Sequence, residues 1–238
     1  MRVHRGAAWA TLLLSAMAVP CVRAATRKSH GVHLGSVRTV PYSREGDPAG
    51  AAAGETALKI RALVVDGRVK EWTTGEVHDV TDRSFVVRRA LRLNDSLPGE
   101  TKLRWVWQRG PWLLVNRVSG RIAALKLPDY NPAVSRVAWF RDYGAYCGVT
   151  PSGKSLYAVV SQLAVRRPVL AKKLEPYDAQ TSPNPACGAV EWQREPLRVT
   201  FHPAGKQAES FHLMAGSAVL VEEPDDATET PDQPGQPK

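Results

Sequence analysis

Short runs of β-branched and aromatic residues, each closed by a turn signal after about ten residues, constrain this chain more than any other feature. Leu58 to Val65 is apolar and β-branched, and Arg68 to Thr74 resumes the pattern after Asp66-Gly67. Asp-Gly between two such runs is a strong hairpin signal, because both turn residues need positive φ. Phe85, Val87, Leu91 and Leu93 alternate with mostly polar neighbours, as a half-buried strand requires. Trp105 and Trp107 share one face of the next run. Arg109-Gly110-Pro111 is expected to turn the chain into Trp112 to Asn116, and Val118-Ser119-Gly120 into Ile122 to Leu127. Pro128 to Pro132 then stops that run. Val137 to Phe140, Tyr146 to Val149, Leu156 to Val160, Val190 to Trp192, Leu197 to Phe201, Phe211 to Met214 and Ala218 to Val221 follow. The best helix candidate is Ser155 to Val165, although Tyr157 and Val159-Val160 oppose it. The fold class is therefore all-β, a single antiparallel sandwich or barrel-like domain with short strands. Gly turns at Asp66-Gly67, Ser119-Gly120 and Ser152-Gly153 are irregularly spaced, so they define no repeat.

The two ends of the chain read differently. Arg2, His4 and Arg5 precede the apolar run Ala7 to Val19, and Val22-Arg23-Ala24 supplies small residues at cleavage-site spacing. This is the layout of a secretory signal peptide over 1–24, with a periplasmic or secreted mature protein starting at Ala25. A lipid anchor at Cys21 is the alternative, but Pro20 stands where lipoprotein signals carry a small residue. Residues 25–56 read as a flexible leader, with breaker-rich Gly46 to Gly54 and room for a short strand near Val37 to Tyr42. The β-rich domain is expected over 57–221. Residues 222–238 hold almost nothing to bury and read as a disordered acidic tail.

Charge is unevenly distributed. The whole chain carries +9, and removing Arg2, Arg5 and Arg23 with the signal leaves +6. The tail has six acids against Lys238, so the body from Ala25 to Val221 is +11, that is, +6 minus −5. Such a body attracts polyanions, whether envelope polymers, anionic lipid or nucleic acid. The clusters Arg166-Arg167 and Lys172-Lys173 are the expected binding residues for an anionic envelope polymer or a protein partner. No second long apolar segment offers a transmembrane anchor. Cleavage would leave two cysteines, Cys147 and Cys187, which an oxidising compartment would join.

Chemistry is sparse. Gly148-Val149-Thr150-Pro151-Ser152-Gly153-Lys154-Ser155 fits the phosphate-binding loop pattern, but that loop needs a strand before it and a helix after it. Thr150-Pro151-Ser152-Gly153 instead has the residue order of a tight turn, so no nucleotide and no other cofactor is expected. His30 and His33, His78 with Asp79 and Asp82, and His202 with His212 fall short of a zinc ligand set. No Gly-x-Ser-x-Gly elbow occurs. A dispersed hydrolase site built on His78 and Asp142 is the alternative function. The tryptophans Trp72, Trp105, Trp107, Trp112, Trp139 and Trp192 are interleaved with Arg88-Arg89, Arg92, Arg104, Arg109, Arg117 and Arg121. Tryptophan faces stack on sugar rings or nucleobases, and arginine pairs with carboxylate or phosphate. Most of these indoles, Trp105 and Trp107 included, are expected in the core with arginines reaching outward.

Overall fold

A computed structural model describes residues 29–178, 180–182, 186–214 and 217–221. The expected signal peptide, the first residues of the expected leader and the expected acidic tail lie outside the described residues. Among the described residues there are fourteen β-strands, one 3-10 turn at Pro48–Gly50 and no α-helix.

The first six strands form one antiparallel sheet in chain order: β1 (Val32–Pro41), β2 (Ala57–Val65), β3 (Arg68–Thr81), β4 (Ser84–Asn94), β5 (Trp105–Asn116) and β6 (Ile122–Ala124). Asp66 and Gly67 have φ of 51° and 74°, the conformation their hairpin turn was expected to need. The sheet curls until its first strand meets its fifth. Tyr42 and Trp107 form a parallel bridge, and the Ser43 N–H donates to the Trp107 carbonyl at 2.9 Å. Register shifts between each of the first four strands and the next provide the bending that curling needs. Leu63, Phe85, Val87, Leu113 and Val115 fill the interior, with Val32, Leu34 and Ile122 packed against them.

The other eight strands make a sandwich. β7 (Ala138–Phe140), β8 (Tyr143–Val149), β9 (Ser155–Gln162) and β10 (Leu170–Pro176) pair in the order β10-β9-β8-β7. β11 (Glu191–Gln193), β12 (Arg198–Phe201), β13 (Glu209–Met214) and β14 (Ser217–Leu220) form the facing sheet. Cys147, Val149, Leu156, Ala158 and Val160 meet Val199, Phe201, Phe211 and Leu213 in one core. Cys147 is disulfide-bonded to Cys187, with the Cα atoms 6.3 Å apart. Closing a loop of this length stabilises by up to about 4 kcal/mol through the unfolded chain. The curled sheet and the sandwich meet where Val86 and Trp112 pack with Leu163, Trp139 and Tyr130.

Several local expectations need correction. Arg109-Gly110-Pro111 does not turn the chain, because β5 runs straight through it. Two residues, Gly110 and Pro111, stand opposite Arg89 alone, a bulge that tolerates the missing proline N–H. The Arg88 Nε–H donates to the Gly110 carbonyl at 3.0 Å, satisfying the acceptor the bulge displaces. Ser155 to Val165 holds strand β9 followed by a turn, as its β-branched residues argued. Most of the expected leader is built into the fold, so the structured region begins well before residue 57. Strand β1 lies within it, and Asp47 is wholly buried. Strand β10 was not anticipated. Lysines on an edge strand such as β10 protect it from pairing with other chains.

Candidate functional site

Five strands contribute to a cavity of about 760 Å³ at the open end of the curl. Its floor is apolar, with Ile60 and Ala90 buried. Trp72, Trp105 and Trp107 rise around that floor. Trp72 and Trp107 meet edge to face at 5.9 Å, which fixes both rings. Trp105 is 43% exposed, so it is not the core residue its apolar character suggested. Arg92 lies 4.5 Å over the Trp105 ring, and Arg38 lies 5.4 Å over Trp72.

These stacked arginines decide what the mouth can do. A guanidinium laid flat on an indole is held in orientation, while its in-plane N–H groups stay free for a carboxylate or phosphate. Arg38 and Arg92 have no carboxylate partner among the described residues. Arg89 is neutralised locally by Glu71 at 2.8 Å. Lys70 adds a further exposed cation. The lining thus carries Arg38, Lys70, Arg89 and Arg92 against Glu71 alone, a net +3.

A buried polar knot fastens the chain beside this mouth. Arg88 Nη2 lies 3.0 Å from Asp47 Oδ1, and both side chains are almost fully enclosed. Burial pushes the Asp47 carboxyl above its ordinary range, and Arg88 pulls it back down. The Tyr130 hydroxyl faces the same pair and Trp112, and burial raises its pKa. Alongside, Arg109 donates to the Tyr42 hydroxyl at 2.7 Å and to both Glu55 oxygens at 2.9 and 3.1 Å. These contacts strap residues 42–55 to β4 and β5 at the bulge. Below that bulge, Ala90 to Asn94 pairs with Trp105 to Arg109 and forms the mouth.

The residues singled out from sequence are scattered. His78 Nε2 lies 2.7 Å from the Arg141 carbonyl oxygen, and the His78 ring stacks on Trp139 at 6.1 Å. Asp142 accepts a bond from Gln162 Nε2 at 2.8 Å. Each is therefore tied to a neighbour, and no hydrogen bond joins the two among the described residues. Arg166 and Arg167 are exposed between β9 and β10, and Lys172 and Lys173 are exposed on β10 itself. Adjacent strand residues point to opposite faces, so the two lysines do not form one surface. The phosphate-loop pattern is a hairpin, in which the Gly153 N–H donates to the Thr150 carbonyl at 2.8 Å between β8 and β9. No group of three or more metal-ligating residues occurs among the described residues. Among the described residues, no helix is long and apolar enough to cross a membrane. Sequence reasoning missed Arg38 and Lys70 at the mouth. The pairing of Trp105 and Trp107 two residues apart was the available signal, but it did not say which face was open.

No family model, no curated protein and no solved structure matches the chain.

Proposed function

We propose that this protein is a non-enzymatic binding module of the cell envelope that holds an anionic glycan in the mouth of its curled sheet. The observation carrying this reading is the pair of arginines stacked on indoles, Arg38 on Trp72 and Arg92 on Trp105. A polymer of uronate type offers what that pair matches, sugar faces for the rings and carboxylates for the guanidinium edges. The mouths of β-barrels are common ligand sites, and a cavity of about 760 Å³ suits two or more sugar units. The disulfide is consistent with an oxidising, exported location, and the signal-like first 24 residues support the same route.

Isothermal titration with polygalacturonate, and separately with neutral dextran, tests this. The expected result is saturable binding to the polyuronate, much weaker binding to dextran, and affinity that falls as salt rises. Equal affinity for both polymers would remove the role of the arginines. Tight binding to single-stranded nucleic acid in place of polyuronate would assign the site to a different polyanion.

A further inference from the structure

The hairpin joining β4 to β5 carries leucines where a solvated loop would carry polar residues. Its tip extends past the last strand pair, Asn94 opposite Trp105. Leu97 is 64% exposed and Leu103 60%, and neither lines the mouth. With Trp105 just behind them, three large apolar side chains stand in solvent on one short segment. An apolar residue exposed singly is ordinary, but a group of them on a projecting loop marks a surface that meets an apolar partner.

The tip is built to hold the leucines there. Leu97-Pro98-Gly99-Glu100 has the order of a type II turn, with Gly99 at φ 92° and the Glu100 N–H donating to the Leu97 carbonyl at 3.1 Å. The Asp95 N–H donates to the Arg104 carbonyl at 2.7 Å, and the Arg104 N–H donates to the Ser96 hydroxyl at 2.7 Å. Both acids of the hairpin are engaged inside it. Asp95 Oδ2 accepts from Arg104 Nε at 3.1 Å, and Glu100 Oε2 accepts from the Leu97 N–H at 3.0 Å. Lys102 and Arg92 are exposed and have no carboxylate partner among the described residues. From Arg92 to Trp105, three cations stand against two acids, a net +1 on a body of +11.

The order of these groups along the hairpin decides the partner. The leucines are outermost. Trp105 lies two residues behind Leu103, about 7 Å at strand rise. Arg92 lies 4.5 Å over the Trp105 ring and pairs opposite Trp107, two residues further back. Apolar tip, indole, then cation is the order of a bilayer surface read outward, from acyl chains through the interface to the headgroup phosphates. A protein partner would need a groove to receive a convex tip, and a bilayer needs none.

We propose that the β4–β5 hairpin docks this protein on an anionic lipid surface, with Leu97 and Leu103 entering the acyl boundary and Lys102 and Arg92 meeting headgroup phosphates. The leucines lie outside the mouth, so this docking does not rest on the glycan reading.

The purified protein would be co-sedimented with vesicles of phosphatidylcholine alone, and with vesicles of equal parts phosphatidylcholine and phosphatidylglycerol, while tryptophan emission is followed. Saturable binding to the anionic vesicles is expected, with weaker binding to the neutral ones and a blue shift as Trp105 leaves water. Leu97→Ser with Leu103→Ser should weaken binding to the anionic vesicles about tenfold or more, as withdrawal of two leucines from the acyl boundary implies. Both side chains are exposed, so the melting temperature should hold. Polygalacturonate affinity should also be unchanged, which separates the fate of this inference from that of the glycan mouth. Lys102→Gln should weaken anionic binding and flatten its salt dependence. No binding to the anionic vesicles would overturn the inference. So would a double leucine variant that binds like the unaltered protein, which would leave the basic body as the cause. A dimer that the leucine changes dissolve, without vesicle binding, would overturn it as well and give the tip to a second copy of the chain.

Discussion

The two halves of this molecule are stabilised by different means. The sandwich closes on itself, with inward residues of two sheets meeting in one apolar core and a disulfide tying β8 to the segment before β11. The curled sheet has an apolar interior at one end and an open mouth at the other. Its mouth end relies on polar fastening, Arg88 to Asp47 and Arg109 to Glu55 and Tyr42. A mouth filled with aliphatic residues would be more stable but would have nothing to offer a ligand. The polar strap fastens the mouth, where Trp105 stands in solvent while Trp72 and Trp107 pack against Ile60 and Ala90.

Breaking the strap should have the largest effect. Arg88→Met leaves the Asp47 carboxylate buried without its cation, a loss of about 3–5 kcal/mol in denaturant unfolding. The loss should depend on pH. Without Arg88, the folded pKa of Asp47 rises further above its unfolded value near 4. A raised carboxyl contributes stability that is fully present below the unfolded pKa and lost as pH rises through the folded one. The deficit of the variant should therefore be smallest near pH 4 and grow toward neutrality. A deficit independent of pH would show that Asp47 is not the group left exposed to burial.

Reducing the disulfide, or changing Cys147 and Cys187 together to Ala, should cost about 2–4 kcal/mol. The comparison sharpens if the loss is local. Amide exchange should accelerate in β8 and β12 while β4 and β5 keep their protection, because the disulfide crosses only the sandwich. Uniform loss across both halves would mean that they unfold as one unit.

Trp105→Ala should separate function from stability. An indole 43% exposed contributes little to the core, so unfolding should shift by less than about 1 kcal/mol. Affinity for polygalacturonate should fall about tenfold or more, as loss of an aromatic anchor implies. A large stability loss with unchanged affinity would return Trp105 to the core role first expected of it.

What the sequence revealed followed the range of each interaction. The Asp66-Gly67 hairpin was legible because its cause is local, two residues needing positive φ. The Cys147–Cys187 pair was legible from cysteine count and compartment. The Gly110-Pro111 bulge was not, because the group that satisfies it, Arg88, comes from the neighbouring strand. The ordering of Gly46 to Gly54 escaped for the same reason, since Asp47 finds its partner far along the chain. Strand β10 was hidden by Lys172 and Lys173, whose charges suit an exposed edge and read as a ligand patch. At the mouth, the residue types were visible but their convergence was not. Trp72, Arg92 and Trp105 come together only because the sheet curls, and curling depends on register shifts that no residue pattern announces.

The most direct test sets the two halves against each other on one ligand. Polygalacturonate affinity would be measured across a salt series for the unaltered protein, for Arg38→Gln with Arg92→Gln, and for Arg166, Arg167, Lys172 and Lys173 all changed to Ala. The two-residue change at the mouth should lose at least about tenfold in affinity and flatten the salt dependence. The four-residue change on the sandwich should cost only about twofold near physiological salt, where distant exposed charges are largely screened. The reverse order, with the sandwich variant losing binding and the mouth variant keeping it, would contradict the central claim and make the exposed basic clusters the binding surface.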